Sequence, residues 1–493
     1  MSTFIIGLAI LVIGGYFYGK YCEKVFGPDE RPTPAISKAD GVDFVGMKKW
    51  KNSLIELLNI AGTGPIIGPI QGILFGPIAF ITIPVGCVLA GSMHDYFSGM
   101  ISLREGGAQM PKMIKKYLGG NVFKAYNFFV WILMLLVGAV FVYTPGDLIV
   151  TEIIGQDAVF GNPTTWIVYA LIFAYYLIAT LFPLDAIIGR IYPIFGAALI
   201  FSAIGIFIGI ILDGGASLTN LSLAGMFSQH PNHLPFVPIF FITVACGIMS
   251  GFHATQATLI GRAVTSEKEG KTTFFNMMLV EGFIAMCWAA GAMILFGRGT
   301  DVATGATLMI GNVSREFLGS IGGLIAVVGV IVLPITSGDT AFRSLRLMVA
   351  EQFNIDQVAP GKRVAVSAAI FVPAILILYY AKLSPSGFSI LWRYFAFTNQ
   401  FIATFALAMI SVYLYIHGKN YLVSLIPGTF YFFVVLSFIF HAPIGFGLES
   451  RLGMDPNSYT LSYICAAVCC VIYIWFIRKH SESQKDKILQ SAL

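Results

Sequence analysis

Charged residues are scarce in this chain of 493 residues, because Asp, Glu, Lys and Arg together make up only 11 %. Soluble proteins carry about 25 % charged residues, so this composition excludes an ordinary soluble domain. Apolar residues make up 57 %, and the mean hydropathy is +0.81. Such a chain requires lipid as its solvent over most of its length. The net charge of +5 is modest and gives no support to a nucleic-acid partner.

Motifs of metal proteins and of several enzyme classes are also missing. The seven cysteines form no Cys-x-x-Cys pair, so a zinc or redox site of that kind is not indicated. The sequence has no HExxH motif, no phosphate-binding loop and no GxSxG in a strand–turn–helix setting. No period-two strand pattern appears, which excludes a transmembrane barrel. We predict an all-α polytopic membrane protein that is not an enzyme and that needs no metal or other cofactor.

Apolar stretches of about 20 residues are long enough to cross a bilayer, and they predict about 13 transmembrane helices. Alternate loops carry 25 of the 30 Lys and Arg residues. Positive residues accumulate on the cytoplasmic side, so we expect the N-terminus outside and the C-terminus in the cytoplasm. The predicted spans are 2–21, 54–78, 79–103, 123–145, 165–183, 187–212, 235–262, 272–297, 318–345, 363–382, 390–415, 420–440 and 458–478.

Two of these spans contain helix-breaking sequence near their middle, at 59–65 (NIAGTGP) and 245–251 (ACGIMSG). Gly costs a helix interior about 1 kcal/mol and Pro about 3 kcal/mol. In lipid, backbone freed in this way must be buried in protein or must line a cavity. Close packing through small residues would explain one such segment alone. Two broken helices five spans apart favour inverted repeats with a transport site at the breaks.

The predicted organisation has four parts. We expect an N-terminal extra helix and cytoplasmic loop at 1–53, and a first five-helix repeat at 54–212. A second, inverted five-helix repeat follows at 235–415. Two further helices and a cytoplasmic tail occupy 420–493.

Seven strings of residues along the chain are specific enough to indicate a family. They are 59–65, HDYFSG at 94–99, REGG at 104–107, GFHATQ at 251–256, SEK at 266–268, LPITSGDT at 333–340 and WRYFA at 392–396. In these strings the chain resembles the carbon starvation protein A (CstA) family over nearly its whole length. The resemblance implies a carrier of the bacterial inner membrane for peptides or pyruvate when carbon is scarce. It also implies the LeuT-type fold of 5+5 inverted repeats.

The backbone at the two breaks is the candidate substrate site. Freed amides at the N-terminus of a half-helix can hold a carboxylate with the help of the helix dipole. Pyruvate and the C-terminus of a peptide would fit equally well. The residues predicted to bind substrate are Ala61, Gly62, Thr63, Gly64, Gly251, His253 and Gln256.

Ionisable side chains inside a membrane are costly, so each one indicates a function or a partner. In LeuT-type carriers the first and eighth core helices hold a cation, and hydroxyl and carbonyl oxygens would suit Na⁺. A desolvated carboxylate at Asp339 would instead carry a proton, unless it only pairs with Arg343. We favour proton coupling and keep Na⁺ as the alternative. The residues predicted for ion coupling are Thr336, Ser337, Asp339, Glu281, His94 and Asp95.

The predicted function is a symporter that imports a small nutrient, either a peptide or a short carboxylate. Its partners would be that substrate, a coupling cation and the lipid bilayer. A nutrient sensor of the same fold with little flux is one alternative, and a membrane-embedded enzyme is another. Uptake into vesicles separates these classes, because a sensor or an enzyme binds ligand without accumulating it.

Overall fold

The computed structural model describes residues 1–39, 44–179, 184–300, 306–356, 359–384 and 386–492. Within these ranges the secondary structure is helical throughout, with no strand. The predicted all-α fold class is therefore confirmed. The end of the predicted span at 180–183 and the side chain of Arg190 lie outside what the structure describes.

The helices of the first half of the chain include one interrupted pair. Between Ile60 and Gly64 the chain leaves the helical path, and the axis bends by 50°. The predicted break in the second span is thus confirmed. The helices are α1 (Ser2–Phe26), α2 (Lys49–Ile60), α3 (Gly64–Phe75), α4 (79–104), α5 (Met110–Leu118), α6 (Gly120–Ile153), α7 (Pro163–Ala179) and α8 (Leu184–Leu212), with a short helix at Pro34–Ser37.

The second half contains the other predicted break, and it is also confirmed. A short helical turn at Ala245–Ile248 is followed by two extended residues, after which a new helix begins at Gly251. The helices are α9 (Phe236–Thr243), α10 (Gly251–Ile260), α11 (Glu267–Gly297), α12 (Ala306–Gln352), α13 (Pro360–Leu383), α14 (Gly387–Ile416), α15 (Leu422–His441) and α16 (Thr460–Ala492), with a short helix at Leu448–Arg451.

Among the described residues, nine helices are long and apolar enough to cross a membrane, and the bent pair α2–α3 makes up to ten. The predicted spans 79–103, 165–183 and 235–262 are not among them. Two of the three contain polar residues or a break, and α7 has only 17 described residues. The count of thirteen therefore stays a prediction. The predicted span 318–345 lies within the much longer α12, where Gly319 interrupts the helix with φ 67°.

Two groups of helices surround the breaks. In the first, which we call the broken-helix group, α2, α4, α10 and α11 pack against one another. In the second, which we call the long-helix group, α6, α7, α12 and α13 pack against one another. The ionisable side chains described below are divided between these two groups.

Candidate functional site

The two interrupted helices meet at their breaks. A Cβ atom added at Gly64, the first residue of α3, would lie 2.2 Å from the Cβ atom of Cys246. Glycine, which has no Cβ, allows the two backbones to pack this closely. Ala61 and Thr63 in the first break are 0 % exposed. The backbone predicted to bind substrate therefore forms one contiguous buried region.

The first break has a defined backbone structure. Ala61 takes ψ 57°, which ends α2. The N–H of Gly62 donates to the carbonyl of Ile60 at 2.9 Å. This amide is therefore occupied in the present conformation. Of the three amides that we expect to receive a carboxylate, those of Thr63 and Gly64 remain candidates.

The second break is held open by a side chain that sequence analysis missed. Met249 and Ser250 are extended, with φ −163° and −142°. The Asn399 Oδ1 atom, on α14, accepts hydrogen bonds from Ser250 Oγ and from the N–H of Phe252, both at 2.9 Å. Asn399 Nδ2 lies 2.8 Å from the Cys246 sulfur. Asn399 thus caps the N-terminus of α10, and a lone Asn in an apolar helix gave no sequence pattern to identify it.

The other predicted substrate residues of the second break are tightly packed. A Cβ atom added at Gly251 would lie 2.6 Å from the carbonyl oxygen of Asn399. Gln256 is 1 % exposed, and its Nε2 donates to Thr255 Oγ1 at 3.2 Å. Both residues lie on the helix that carries His253.

Four predicted side chains form a connected chain of contacts, which we call the His–acid cluster (His94, Asp95, His253 and Glu281). His94 Nδ1 lies 2.8 Å from Asp95 Oδ1. The other oxygen of Asp95 lies 3.3 Å from His253 Nδ1, and His253 Nε2 lies 3.6 Å from Glu281 Oε1. All four side chains are at most 1 % exposed. Residues that we assigned separately to substrate and to ion are therefore in contact.

Glu56 adds a third carboxyl group to this region, and sequence analysis missed it. It is 0 % exposed, and neither carboxyl oxygen has a hydrogen-bond partner among the described residues. It interacts electrostatically with Asp95 and Glu281. An ionisable residue inside an apolar span is a functional candidate by default, and that signal could have found it. The predicted span began at 54, which placed Glu56 at the membrane surface, whereas the helix begins at Lys49.

The hydroxyl groups predicted to coordinate a cation have separate partners. Thr336 Oγ1 donates to the carbonyl of Leu333 in its own helix at 2.8 Å. Ser337 Oγ donates across to the carbonyl of Leu58 on α2, at 3.4 Å. Only Ser337 therefore contacts the broken helix, and it does so two residues before the carbonyls at 60–63 that we expect as ligands.

Asp339 forms an ion pair within its own helix. Its Oδ2 lies 3.4 Å from Arg343 Nη2, one helical turn away, and Asp339 is 3 % exposed. The same Arg343 nitrogen donates to the carbonyl of Ala179 at 2.8 Å. The structural pairing that we kept open for Asp339 is therefore present. The titratable groups in contact with one another are those of the His–acid cluster.

A second buried ion pair joins two helices of the long-helix group. Lys382 on α13 is 7 % exposed and Asp147 on α6 is 9 % exposed. Lys382 Nζ lies over the Tyr143 ring, 4.3 Å from its centroid. Tyr169 OH donates to Asp147 Oδ1. Sequence analysis placed Lys382 among the loop charges and left Asp147 unassigned.

A segment between α1 and α2, which we call the N-terminal strap (27–38), lies across the ends of α4 and α11. Arg104 donates to both oxygens of Glu267, at 3.0 and 2.9 Å. The N–H of Asp29 in the strap donates to Glu267 at 3.0 Å. Hydrogen bonds from Arg31 hold the pKa of Asp29 well below its usual value. The strap is thus tied by a charged network to two helices of the broken-helix group.

No group of three or more His, Cys, Asp or Glu side chains in the described ranges is arranged to hold a metal ion. In the His–acid cluster the four side chains contact one another instead. The chemistry that this arrangement offers is the transfer and storage of protons.

Comparison with known protein families gives a match along most of the chain. A family model described as "Carbon starvation protein CstA" matches residues 1–154, 144–298 and 291–438. An uncharacterized membrane protein of Haemophilus influenzae is 40 % identical over 332 residues, which are 58 % of this chain and 89 % of that protein.

Two relatives carry functional names. The peptide transporter CstA of Bacillus subtilis is 22 % identical over 609 residues, covering 99 % of this chain and 98 % of that protein. The pyruvate/proton symporter BtsT of Escherichia coli is 25 % identical over 350 residues, covering 58 % of this chain and 48 % of that protein.

Solved structures share the fold of the chain. A manganese transporter of Eremococcus coleocola aligns with a TM-score of 0.55 and 12 % identity, over 90 % of this chain and 99 % of that one. The structure of MhsT with L-phenylalanine aligns with a TM-score of 0.54 and 12 % identity, over 88 % and 99 %. At these identities the likeness concerns the fold, and it confirms the predicted LeuT-type architecture.

Proposed function

The chain belongs to the carbon starvation protein CstA family, and from this premise we propose that it is a secondary transporter that imports a small carboxylate-bearing nutrient together with protons. The observation that supports this most directly is the His–acid cluster beside the two breaks. Ionisable side chains inside a membrane are characteristic of proton relays in transporters. The relatives named a peptide transporter and a pyruvate/proton symporter support the same class of function.

Proton coupling is favoured over sodium coupling by the contacts of the candidate residues. Thr336 bonds within its own helix, and Ser337 reaches Leu58 rather than the carbonyls at 60–63. Asp339 is paired with Arg343. We therefore assign proton binding to the His–acid cluster and withdraw it from Asp339. The Na⁺ site at Thr336 and Ser337 remains the alternative proposal.

The substrate class follows from the N-terminus of α3. The amides of Thr63 and Gly64 lie at the start of a half-helix, where the helix dipole favours negative charge. A carboxylate of pyruvate or of a peptide C-terminus would be held there. The breaks of two inverted repeats, proposed at 54–212 and 235–415, would together form this site.

Transport by purified protein in proteoliposomes tests this proposal. An inward pH gradient should drive accumulation of labelled pyruvate or labelled dialanine, and an inward Na⁺ gradient at equal pH should not. Unlabelled di- and tripeptides competing with labelled pyruvate would show whether one site takes both. Accumulation driven only by Na⁺ would contradict proton coupling. Binding without accumulation under either gradient would favour the sensor.

We propose that the protein lies in the bacterial inner membrane with the N-terminus outside and the tail in the cytoplasm. The exposed positions Ser37 and Leu223 lie on opposite sides in this arrangement. In a background lacking the partly exposed Cys465 and Cys469, Leu223→Cys should react with a membrane-impermeant thiol reagent in intact cells. Ser37→Cys should react only after the cells are opened. The reverse pattern would contradict the orientation.

A further inference from the structure

Glu56 combines complete burial with a position next to a hinge. We propose that Glu56 is the group that carries the transported proton from the His–acid cluster to the cytoplasm, on the movable helix α2. The proposal rests on the proposed function and names the residue that links proton movement to the broken helix.

The first argument is the environment of the carboxyl group. Glu56 is 0 % exposed and both of its oxygens lack hydrogen-bond partners among the described residues. A buried ionised carboxylate without partners is strongly unfavourable, so the group is stable here only in its protonated form. A structural glutamate in this position would be expected to have a hydrogen-bond donor, as Asp147 has in Lys382.

The second argument is the charge of the whole site. The charged groups that act on Glu56 from the helices packed against α2 are Asp95 on α4 and Glu281 on α11, both of them acidic. With His94 and His253, the site has three carboxyl groups and two imidazoles. It is neutral only when three titratable protons are distributed over these five groups. Burial therefore makes the closed site a store of protons.

The third argument is the position of Glu56 relative to the break. It lies five residues before Ala61, where α2 ends and the axis bends by 50° toward α3. Hinges are element-terminal residues that absorb a change in φ and ψ. If α2 turned about this break, Glu56 would leave Asp95 and Glu281. The groups of the His–acid cluster, on α4, α10 and α11, would stay together.

The proton transfer can be written as two balanced steps. A proton passes from Glu281 to the Glu56 carboxylate, so that one O–H bond breaks and another forms, and His253 returns a proton to Glu281 from its Nε2. The net charge of the site is unchanged up to this point. When α2 turns toward the cytoplasm, Glu56 releases its proton to water and becomes a carboxylate. In water the carboxylate is solvated, so the cost of the buried charge is avoided.

The test compares two kinds of transport in the same proteoliposomes. Exchange of labelled for unlabelled pyruvate at equal pH requires substrate movement but no net proton movement. Accumulation under an inward pH gradient requires both. For Glu56→Gln we expect exchange close to the wild-type rate and gradient-driven accumulation reduced about tenfold or more, a change of about 1.4 kcal/mol in driving force. Glu56→Asp, which keeps the carboxyl group, should restore accumulation.

The control is Glu152→Gln, because Glu152 is a buried glutamate of α6 that pairs with Arg315 outside the cluster. It should leave the ratio of accumulation to exchange unchanged. Normal accumulation by Glu56→Gln would overturn the proposal, and so would equal loss of exchange and accumulation, since that result indicates a structural or substrate role. Wild-type protein that shows no pH-driven accumulation would refute the proposed function itself.

Discussion

Lys382 donates to both carboxylate oxygens of Asp147, at 2.8 and 2.7 Å, although the two residues are 235 positions apart in the sequence. The pair joins the ends of α6 and α13. Two tyrosine rings surround the ammonium group, at 4.3 Å for Tyr143 and 5.9 Å for Tyr169. Water is largely excluded from this pair, so neither charge can be left alone without a large penalty.

Lys382→Met should destabilise the protein by about 3–5 kcal/mol, because it leaves the Asp147 carboxylate buried without a partner. The double variant Asp147→Leu with Lys382→Met should be less destabilised than Lys382→Met alone. Thermal unfolding in detergent, followed by tryptophan fluorescence, measures both. If the two substitutions simply add, the pair is not energetically coupled.

Gly64→Ala should destabilise the contact between the two breaks by about 1–3 kcal/mol, as overpacking does in other cores. The added methyl group would lie 2.2 Å from the Cβ atom of Cys246. Replacing that residue as well, by Cys246→Gly, should recover part of the stability and of the transport rate. Gly361→Ala is the control, because no atom lies within 4 Å of the added Cβ near the start of α13. An equal effect of both alanine substitutions would contradict the role given to this contact.

Asn399→Leu should cost about 1–3 kcal/mol, because it leaves Ser250 Oγ and the N–H of Phe252 buried without their acceptor. It should also weaken substrate binding, since the start of α10 would lose its defined position. Thr398→Val is the neighbouring control, because Thr398 bonds only to the carbonyl of Tyr394 in the same helix. Thermal unfolding and binding of labelled pyruvate together test the prediction. Unchanged binding by a stable Asn399→Leu variant would refute the role of the cap at the break.

Glu267→Gln should loosen the N-terminal strap, because it removes the charge that Arg104 and the N–H of Asp29 share. A cysteine at Ser37 should then react faster with a thiol reagent in purified protein. Glu30→Gln is the control, since Glu30 pairs with Lys268 at an exposed position, where an ion pair contributes about 0–1 kcal/mol. Equal labelling rates in the two variants would show that the Glu267 network does not hold the strap.

The strap should not respond to pH near neutrality. Hydrogen bonds from Arg31 lower the pKa of Asp29 in the folded protein. A carboxyl group with a lowered folded pKa stabilises the fold at pH above its unfolded value of about 3.9. That contribution is lost only as the pH falls further, toward the folded pKa. A change in transport between pH 6 and 8 would therefore have to originate elsewhere.

The sequence predicted the breaks well, because Gly and Pro have direct effects on helical backbone. It also placed His94, Asp95, His253 and Glu281 in the same half of the membrane, and the structure brings these side chains into contact. Asn399, Lys382 and Asp147 could not be placed in this way. Their roles depend on contacts between helices far apart in the chain, and a single polar residue in an apolar stretch does not reveal its partner. Glu56 was missed for a smaller reason, which is a helix start five residues earlier than its apolar pattern suggested.

The buried ion pairs described here do not cross the boundary between the two helix groups. The His–acid cluster lies within the broken-helix group, while Asp147–Lys382 and Asp339–Arg343 lie within the long-helix group. Across the boundary, the Ser337 hydroxyl meets the Leu58 carbonyl at a marginal 3.4 Å, and the Phe141 ring lies beside Gly62. Rigid-body sliding along this seam would therefore rupture none of these strong electrostatic contacts. Its barrier would be low and governed mainly by side-chain interlocking, which suits a machine that must reverse direction in every cycle.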